Sequence, residues 1–162
     1  MNSRLEEAAF EDSAVLGAPD SVAESPWIIL KFGGTSVASA ANWAIIRDLV
    51  AARLEEGLRP VVVHSALGGV SNMLADLLQQ AAAGEEADLL EEIRLRHLGL
   101  ARDMGLDGAT LLADYLAELE QLAAGIRLVG EVSARVHAKV MALGELMATT
   151  LGAAYLQSQG VQ

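Results

Sequence analysis

Two short apolar segments, each followed by a pair of glycines, restrict the fold of this chain more than any other feature. Residues 27–32 precede Gly33-Gly34, and residues 60–64 lie shortly before Gly68-Gly69. Apolar side chains at successive positions are typical of strands that are buried on both faces. Each segment therefore predicts a buried strand that ends in a glycine turn.

The residues between the two segments predict a helix over 41–56. Ser39 is a suitable N-cap, and Gly57 stands where a glycine commonly ends a helix. Strand, helix and strand within this length predict a parallel crossover unit and an α/β fold. Since parallel strands end at the same edge of a sheet, we expect the two glycine turns to lie side by side, where ligands bind in open α/β sheets.

The remainder of the chain is predicted to be helical. Apolar residues recur at helical spacing over 71–83, 89–98, 111–123 and 132–155, and the last helix is expected to end near Gly160. Two strands are few for a sheet that so many helices would cover. The pattern therefore predicts an incomplete domain over residues 26–162, preceded by a flexible acidic extension over residues 1–25.

Composition narrows the class of function. The net charge is −11, which argues against nucleic acid and anionic membranes as partners because both require Lys and Arg to neutralise phosphate. The chain has no cysteine, which excludes thiolate chemistry and favours a reducing cytoplasm. We expect neither a signal peptide nor a membrane span. The three histidines lack ligand-like spacing, so no metal site is predicted.

The first glycine turn carries features of an anion site. Backbone amides of Gly33 and Gly34 can approach an anion closely, and the N-terminus of the following helix adds partial positive charge. Lys31 could place an ammonium against a transferred phosphoryl group. The Walker A spacing is absent, since the lysine precedes the glycines. A plain strand-to-helix turn with a solvated lysine remains the alternative.

Two further residues could face the same edge. Ser71, after the second glycine turn, either caps its helix or holds a substrate, and capping is the commoner role. Glu145 lies beside the apolar stripe of the last helix. It is either a solvated acid, the commoner case, or a fixed carboxylate for a substrate ammonium group. The acids at 85–86 and 91–92 are predicted to lie on solvated helix faces.

Three segments of the chain resemble the aspartate kinases of the amino-acid kinase fold. Residues 31–37, Lys-Phe-Gly-Gly-Thr-Ser-Val, match the family's opening signature at every position. Residues 61–72 resemble the second block, with Ser71 where the family usually has Thr, and residues 144–147 resemble the third. The Thr-Ser pair distinguishes the first block from those of carbamate, acetylglutamate, glutamate and UMP kinases. His64 and Ala148 depart from the small or hydroxyl residues expected there.

The resemblance implies roles for individual residues. ATP would be bound by Lys31, Phe32, Gly33, Gly34 and Thr35, with Lys31 stabilising the γ-phosphoryl group in the transition state. L-Aspartate would be bound by Ser65, Ala66, Ser71 and Glu145, with Glu145 taking its amino group. With Mg²⁺, the reaction would give 4-phospho-L-aspartate and ADP, the entry to lysine, threonine and methionine synthesis.

The resemblance also implies an architecture, a three-layer αβα domain with a parallel sheet, of which this chain would hold the N-terminal part. The family's downstream nucleotide-binding blocks and regulatory ACT domains have no counterpart here. The full-length protein would be a homo-oligomer, and the extension together with the region of Trp43 resembles the kinase half of fusions with diaminopimelate decarboxylase. Two alternatives remain: another small-molecule kinase of this fold, or a non-catalytic binding or assembly module.

Overall fold

A computed structural model of the chain describes residues 25–161. The elements in chain order are β1 (Trp27–Phe32), α1 (Ala40–Glu55), β2 (Arg59–His64), α2 (Val70–Ala83), α3 (Ala87–Asp103), α4 (Gly108–Val129) and α5 (Ala134–Ser158). The predicted strands and helices all occur, with ends shifted by a few residues. The predicted extension falls, apart from Ser25, outside the described residues.

Strands β1 and β2 pair in parallel. Their register runs from Trp27 opposite Arg59 to Phe32 opposite His64. Helix α1 makes the crossover between them, as the spacing predicted, because parallel strands cannot be joined by a tight hairpin. Both strands therefore end at the same edge of the sheet, and the turns that follow them begin next to each other.

The sheet is covered by helices on one face within the described residues. Leu30, Phe32 and Val62 pack against the core, whereas the alternate positions face outward, with Ile29 71% exposed and Val63 43% exposed. The prediction that both strands are buried on both faces is wrong for this structure. A run of apolar residues indicates that a strand can be buried on both faces, but it does not show whether helices cover the second face of the sheet.

Helix α1 begins and ends as the sequence predicted. The hydroxyl of Ser39 accepts a 3.2 Å hydrogen bond from the backbone N–H of Asn42 and so satisfies one of the unpaired donors of the first turn. Gly57 adopts a positive φ of 79° just after the helix, a conformation that glycine takes without strain. The buried face of α1 comprises Trp43, Ile46 and Val50, and it packs against β2 and α5.

The core lies among α2, α4 and α5, which pack on one another, with α3 covering α2 and α4. Its largest fully buried side chains in these helices are Leu74, Leu77, Ile93, His97, Leu112, Leu119, Leu143, Met147 and Leu151. The periodic apolar positions that predicted the helices are the ones that form this core. No helix within residues 25–161 is both long and apolar enough to cross a bilayer.

The prediction that Glu85-Glu86 forms a solvated face is wrong for Glu86. This residue is 4% exposed, precedes α3, and its Oε1 accepts a 2.8 Å hydrogen bond from Nη1 of Arg127 in α4. A buried carboxylate needs such a partner, and sequence spacing does not reveal one 41 positions away. Glu91 and Glu92 are exposed, as predicted.

Candidate functional site

The first glycine turn begins at the carboxyl end of β1. Lys31 is exposed and alternates with Ile29, so its side chain lies on the uncovered face of the sheet. Gly33 is also exposed, and a Cβ placed on it would meet no atom within 4 Å. The backbone at Gly33 is therefore open to approach by a ligand, as the anion-site interpretation requires.

Helix α1 holds the shape of this turn. The side-chain amide of Asn42 donates a 3.1 Å hydrogen bond to the carbonyl oxygen of Thr35, and the indole Nε1 of Trp43 donates a 3.0 Å bond to the carbonyl oxygen of Val37. Within the turn, the N–H of Ser36 donates to the carbonyl oxygen of Gly33 at 3.0 Å. The turn is thus fixed by two side chains, Asn42 and Trp43, for which no role at the turn was predicted.

Phe32 and Thr35, both assigned to ATP by the resemblance, differ in their surroundings. Phe32 is half-buried, packs against the core and lines a small pocket of about 210 Å³ with Ser36 and Asn42. Thr35 is exposed at the turn. The backbone of Phe32 is therefore the part that can face a ligand on the Lys31 side of the sheet, because consecutive strand side chains point to opposite faces.

The two glycine turns are in direct contact. The backbone N–H of Gly68 donates a 3.0 Å hydrogen bond to the carbonyl oxygen of Gly34. A Cβ on Gly34 would lie 2.6 Å from the carbonyl oxygen of Ala66, a distance that real side chains essentially never show. The predicted position of the turns, side by side at one sheet edge, is confirmed, and Gly34 is required for their close approach.

The predicted capping role of Ser71 is wrong. Helix α2 begins at Val70, its N-cap is Gly69 with a φ of 85°, and no side chain makes a capping hydrogen bond. Ser71 is consequently the second residue of the helix, too far along the chain to cap it. Its side chain is exposed next to the second turn, and its role in substrate binding stays a prediction.

Ser65 and Ala66 form the start of the second turn, directly after β2. Ser65 is half-buried, and its carbonyl oxygen lies 3.0 Å from Nδ1 of His64. Ala66 is 2% exposed. Its methyl group is covered, so any contact with a substrate at this position would come from the backbone.

Helix α5 reaches the second turn through a glycine. A Cβ on Gly144 would lie 2.8 Å from Cδ1 of Leu74, 3.2 Å from Cβ of Ala66 and 3.3 Å from Cγ1 of Val70. The missing side chain lets α5 pack directly on the start of α2 and on the second turn. Glu145 is the next residue in the sequence after this contact, and its side chain is exposed.

The structure thus brings the three predicted segments together: the first turn touches the second, and the second touches α5. Near these contacts Gly33 has an open backbone, and the side chains of Lys31 and Glu145 are exposed. Neither Lys31 nor Glu145 forms an ion pair within residues 25–161. Amides and ammonium suit a phosphate group, and a carboxylate suits an ammonium group. Gly144 was predicted only as part of the third segment and not as a packing contact, although a glycine inside a helix, where alanine is more stable, is a signal of close packing.

Comparisons with known proteins agree with this arrangement. A model of the amino acid kinase family matches residues 26–162. The chain is 34% identical over 139 residues to Aspartokinase 1, chloroplastic, from Arabidopsis thaliana. The matched region covers 83% of this chain and 24% of that relative. It is 27% identical over 135 residues to an aspartokinase from Chlamydia muridarum, covering 83% of this chain and 28% of that relative.

Solved structures give the same result. E. coli aspartokinase III in complex with aspartate and ADP superposes with a TM-score of 0.71 at 28% identity, over 83% of this chain and 29% of that one. The chain therefore spans about a quarter to 30% of the length of these relatives. The fusion, the homo-oligomer and the cytoplasmic location stay predictions. The matched family model, the shared fold and the three joined segments lead to one conclusion: the chain belongs to the amino acid kinase family.

Proposed function

We propose that this chain carries the phosphate-binding turn and the aspartate-binding residues of an aspartate kinase, which transfers the γ-phosphoryl group of ATP to the side-chain carboxylate of L-aspartate. The observation that supports it is the contact of three segments, at Gly34 with Gly68 and at Gly144 with Ala66, since these segments carry the residues that the resemblance assigns to the two substrates. Aspartate and ADP are the ligands named for the E. coli neighbour.

On the nucleotide side, the proposal assigns phosphate oxygens to the backbone amides of Gly33 and Gly34. The open surroundings of Gly33 fit that role, because an anion can reach the main chain without displacing a side chain. The ammonium of Lys31 would stabilise the negative charge of the transferring phosphoryl group. A carboxylate oxygen of aspartate attacks the γ-phosphorus and ADP leaves, so positioning and positive charge supply the catalysis.

The described residues contain no group of three or more His, Asp or Glu side chains that could hold a metal ion. We assign no metal ligand among them. Mg²⁺ enters the proposal only with ATP, since proteins commonly bind it through substrate phosphates and a few carboxylates.

On the aspartate side, the proposal assigns the substrate ammonium group to the carboxylate of Glu145. The hydroxyl of Ser71 and the backbone of Ser65 and Ala66 would line the remainder of the pocket. Glu145 fits because it is exposed, directly follows Gly144 at the contact between α5 and Ala66, and takes part in no ion pair within residues 25–161. Ser71 fits because capping does not engage its hydroxyl.

Calorimetric titration of the purified chain with L-aspartate tests the aspartate assignment. We expect saturable binding that Glu145→Gln weakens by at least about tenfold, because a hydrogen bond between charged groups contributes roughly 1.5–3 kcal/mol. Glu120→Gln, which removes an exposed acid on α4, is the matched control and should bind as the unaltered chain does. Equal affinities for the Glu145 and Glu120 variants would exclude the assigned role.

Aspartate-dependent ADP release, measured on the full-length kinase of which this chain would be the N-terminal part and on its Lys31→Ala variant, tests the kinase assignment. We expect Lys31→Ala to abolish ADP release while leaving aspartate affinity within about twofold, because a group that acts mainly on the transition state contributes little to ground-state binding. ADP release that persists in Lys31→Ala would contradict the role of this lysine.

One observation favours a second function, that of a non-catalytic assembly module. The open sheet face carries Ile29, Val61 and Val63, which are 71%, 40% and 43% exposed. Apolar area of this kind commonly marks an interface. Light scattering after gel filtration separates the two functions: a discrete oligomer that binds neither aspartate nor ATP supports the module, whereas aspartate binding supports the kinase.

A further inference from the structure

We propose that Arg96, on α3, is a positioning residue that holds the second glycine turn in the geometry that binds substrate. It lies outside the three segments that resemble the aspartate kinases, and none of the sequence patterns pointed to it. The proposal rests on the function proposed above in so far as it names aspartate as the ligand that the turn receives. The position of the turn itself can be measured independently of that function.

The guanidinium group of Arg96 contacts the turn at its centre. Nη1 donates a 2.7 Å hydrogen bond to the carbonyl oxygen of Gly68, 28 positions earlier in the chain. A Cβ on Gly69 would lie 2.9 Å from the same Nη1 atom. The arginine therefore packs against the bare main chain of Gly69, the N-cap of α2. A hydrogen bond with an ionised donor at this distance is among the stronger ones in proteins.

Gly68 connects this contact to the first turn. Its carbonyl oxygen accepts from Arg96, and its N–H donates to the carbonyl oxygen of Gly34 at 3.0 Å. One residue thus joins α3, the second turn and the first turn. Because Gly68 has no side chain to restrict it, external hydrogen bonds are needed to fix its backbone. Loss of the Arg96 bond is expected to loosen Gly68 and, through it, the spacing of the two turns.

Arg96 is itself held in position on α3. Its Nη2 lies 3.8 Å from Oε1 of Glu92, one helical turn earlier, and its side chain is 43% exposed. An exposed pair of this kind contributes little to stability. The arginine can therefore be replaced without loss of a buried group, so its removal separates an effect on the turn from a general effect on folding.

The test uses the whole chain with three substitutions. Arg96→Met removes the guanidinium and keeps most of the apolar stem, and Arg96→Lys keeps a cationic donor. Arg94→Met is the matched control, because Arg94 lies on the same helix, is similarly exposed and pairs only with Glu91 in the described residues. For each chain we would measure amide hydrogen exchange at Gly68 by NMR, the urea unfolding midpoint, and L-aspartate affinity by calorimetry.

We expect Arg96→Met to speed exchange of the Gly68 amide by about tenfold, and to lower the free energy of unfolding by no more than that change corresponds to, about 1.4 kcal/mol. Aspartate affinity should fall several-fold, Arg96→Lys should restore part of both losses, and Arg94→Met should match the unaltered chain. If Arg96 acted only through overall stability, the free energy of unfolding would fall by more than the change at Gly68 corresponds to, and Arg96→Lys would not restore aspartate affinity.

The following results decide whether Arg96 positions the turn. Unchanged Gly68 exchange in Arg96→Met, or the same change in Arg94→Met, overturns the positioning role. A fall in the free energy of unfolding larger than the change at Gly68 corresponds to, with exchange speeded more in the helices than at Gly68, overturns it as well. Faster exchange confined to the two turns supports it. If that local change occurs while the unaltered chain binds no L-aspartate, the positioning of the turn stands and the proposed function fails.

Discussion

The ring of Trp43 in α1 lies directly against the backbone of Gly152 in α5. A Cβ on Gly152 would meet Cη2 of the indole at 2.0 Å and Cζ2 at 2.5 Å. The same indole donates its Nε1 hydrogen to the carbonyl oxygen of Val37, the buried residue that follows the first glycine turn. Packing between α1 and α5 is therefore linked, through one side chain, to the position of the turn that carries the proposed phosphate site.

Gly152→Ala should destabilise the chain. The added methyl group would overlap a tryptophan that is 1% exposed and has no room to move aside, and overpacking of a core typically costs about 1–3 kcal/mol. We expect a lower midpoint of urea unfolding, together with a change in Trp43 fluorescence in the folded state.

Gly125→Ala is the control for that prediction. Gly125 lies inside α4, and a Cβ on it would meet nothing within 4 Å. Replacing glycine by alanine in an exposed helix interior stabilises by roughly 0.5–1 kcal/mol. The two glycine-to-alanine changes should thus shift the midpoint in opposite directions. Equal shifts of the two midpoints would mean that the Trp43 ring does not need the absence of a side chain at Gly152 in order to pack there.

Much of the site's framework was predictable from local patterns. Two apolar runs separated by a capped helix imply parallel strands, and parallel strands necessarily end at one edge. The approach of residues 33–34 and 68–69 follows from that geometry. Ser39 and Gly57 marked the ends of α1 because capping depends on residues adjacent in the sequence.

The parts that could not be predicted depend on distant partners. The sequence at Gly144 does not say which element α5 will cross there, and Glu86 is buried because Arg127 reaches it from α4. Arg96 gives no local signal, since a surface arginine on a helix is usually solvated. The capping role predicted for Ser71 was wrong because the local sequence permits a helix start either before or after Ser71. Burial of Val70, which is 0% exposed, selects the earlier start.

Gly34→Ala should impair the site and Gly33→Ala should leave the fold intact. The Cβ at Gly34 would lie 2.6 Å from the carbonyl oxygen of Ala66, whereas at Gly33 it would meet no atom within 4 Å. Main-chain atoms cannot rotate away from such an overlap, so we expect a loss of about 1–3 kcal/mol for Gly34→Ala alone. Urea unfolding of the two variants checks this, and equal losses would contradict the close approach of the turns.

Acidification should destabilise the chain through His97. Burial lowers the pKa of His97 below its ordinary value of 6.5; the hydrogen bond that Nδ1 donates to the carbonyl oxygen of Ile93 opposes the shift, and Arg96 adds to it. The folded state therefore favours neutral His97. Below about pH 6.5 the unfolded chain binds a proton that the folded chain resists, so stability falls as the pH drops through that value.

His97→Asn isolates this effect because asparagine does not titrate and keeps a donor near the position of Nδ1. The variant should be less stable at pH 7, since it is smaller in a fully buried position. Its free energy of unfolding should decline less steeply between pH 7 and 5 than that of the unaltered chain. His137→Asn, at an exposed position, should keep the original slope. Parallel slopes for His97→Asn and the unaltered chain would rule out His97 as the source.

Ser71→Ala should weaken aspartate binding without lowering stability. Helix α2 has no side-chain cap, and Ser71 is exposed within its first turn. Surface changes of this kind usually alter the free energy of unfolding by less than about 0.5 kcal/mol. Ser39→Ala is the comparison, because Ser39 does cap α1 and its loss should cost about 1 kcal/mol.

Urea unfolding and calorimetric titration with L-aspartate, applied to both serine variants, give the two results needed. We expect Ser39→Ala to lose stability and Ser71→Ala to lose affinity, because one hydroxyl pairs with its own helix and the other is left for a ligand. A loss of stability in Ser71→Ala similar to that in Ser39→Ala would restore the capping role. Unchanged aspartate affinity in Ser71→Ala would remove this hydroxyl from the proposed pocket and leave Glu145 and the turn backbone to form it.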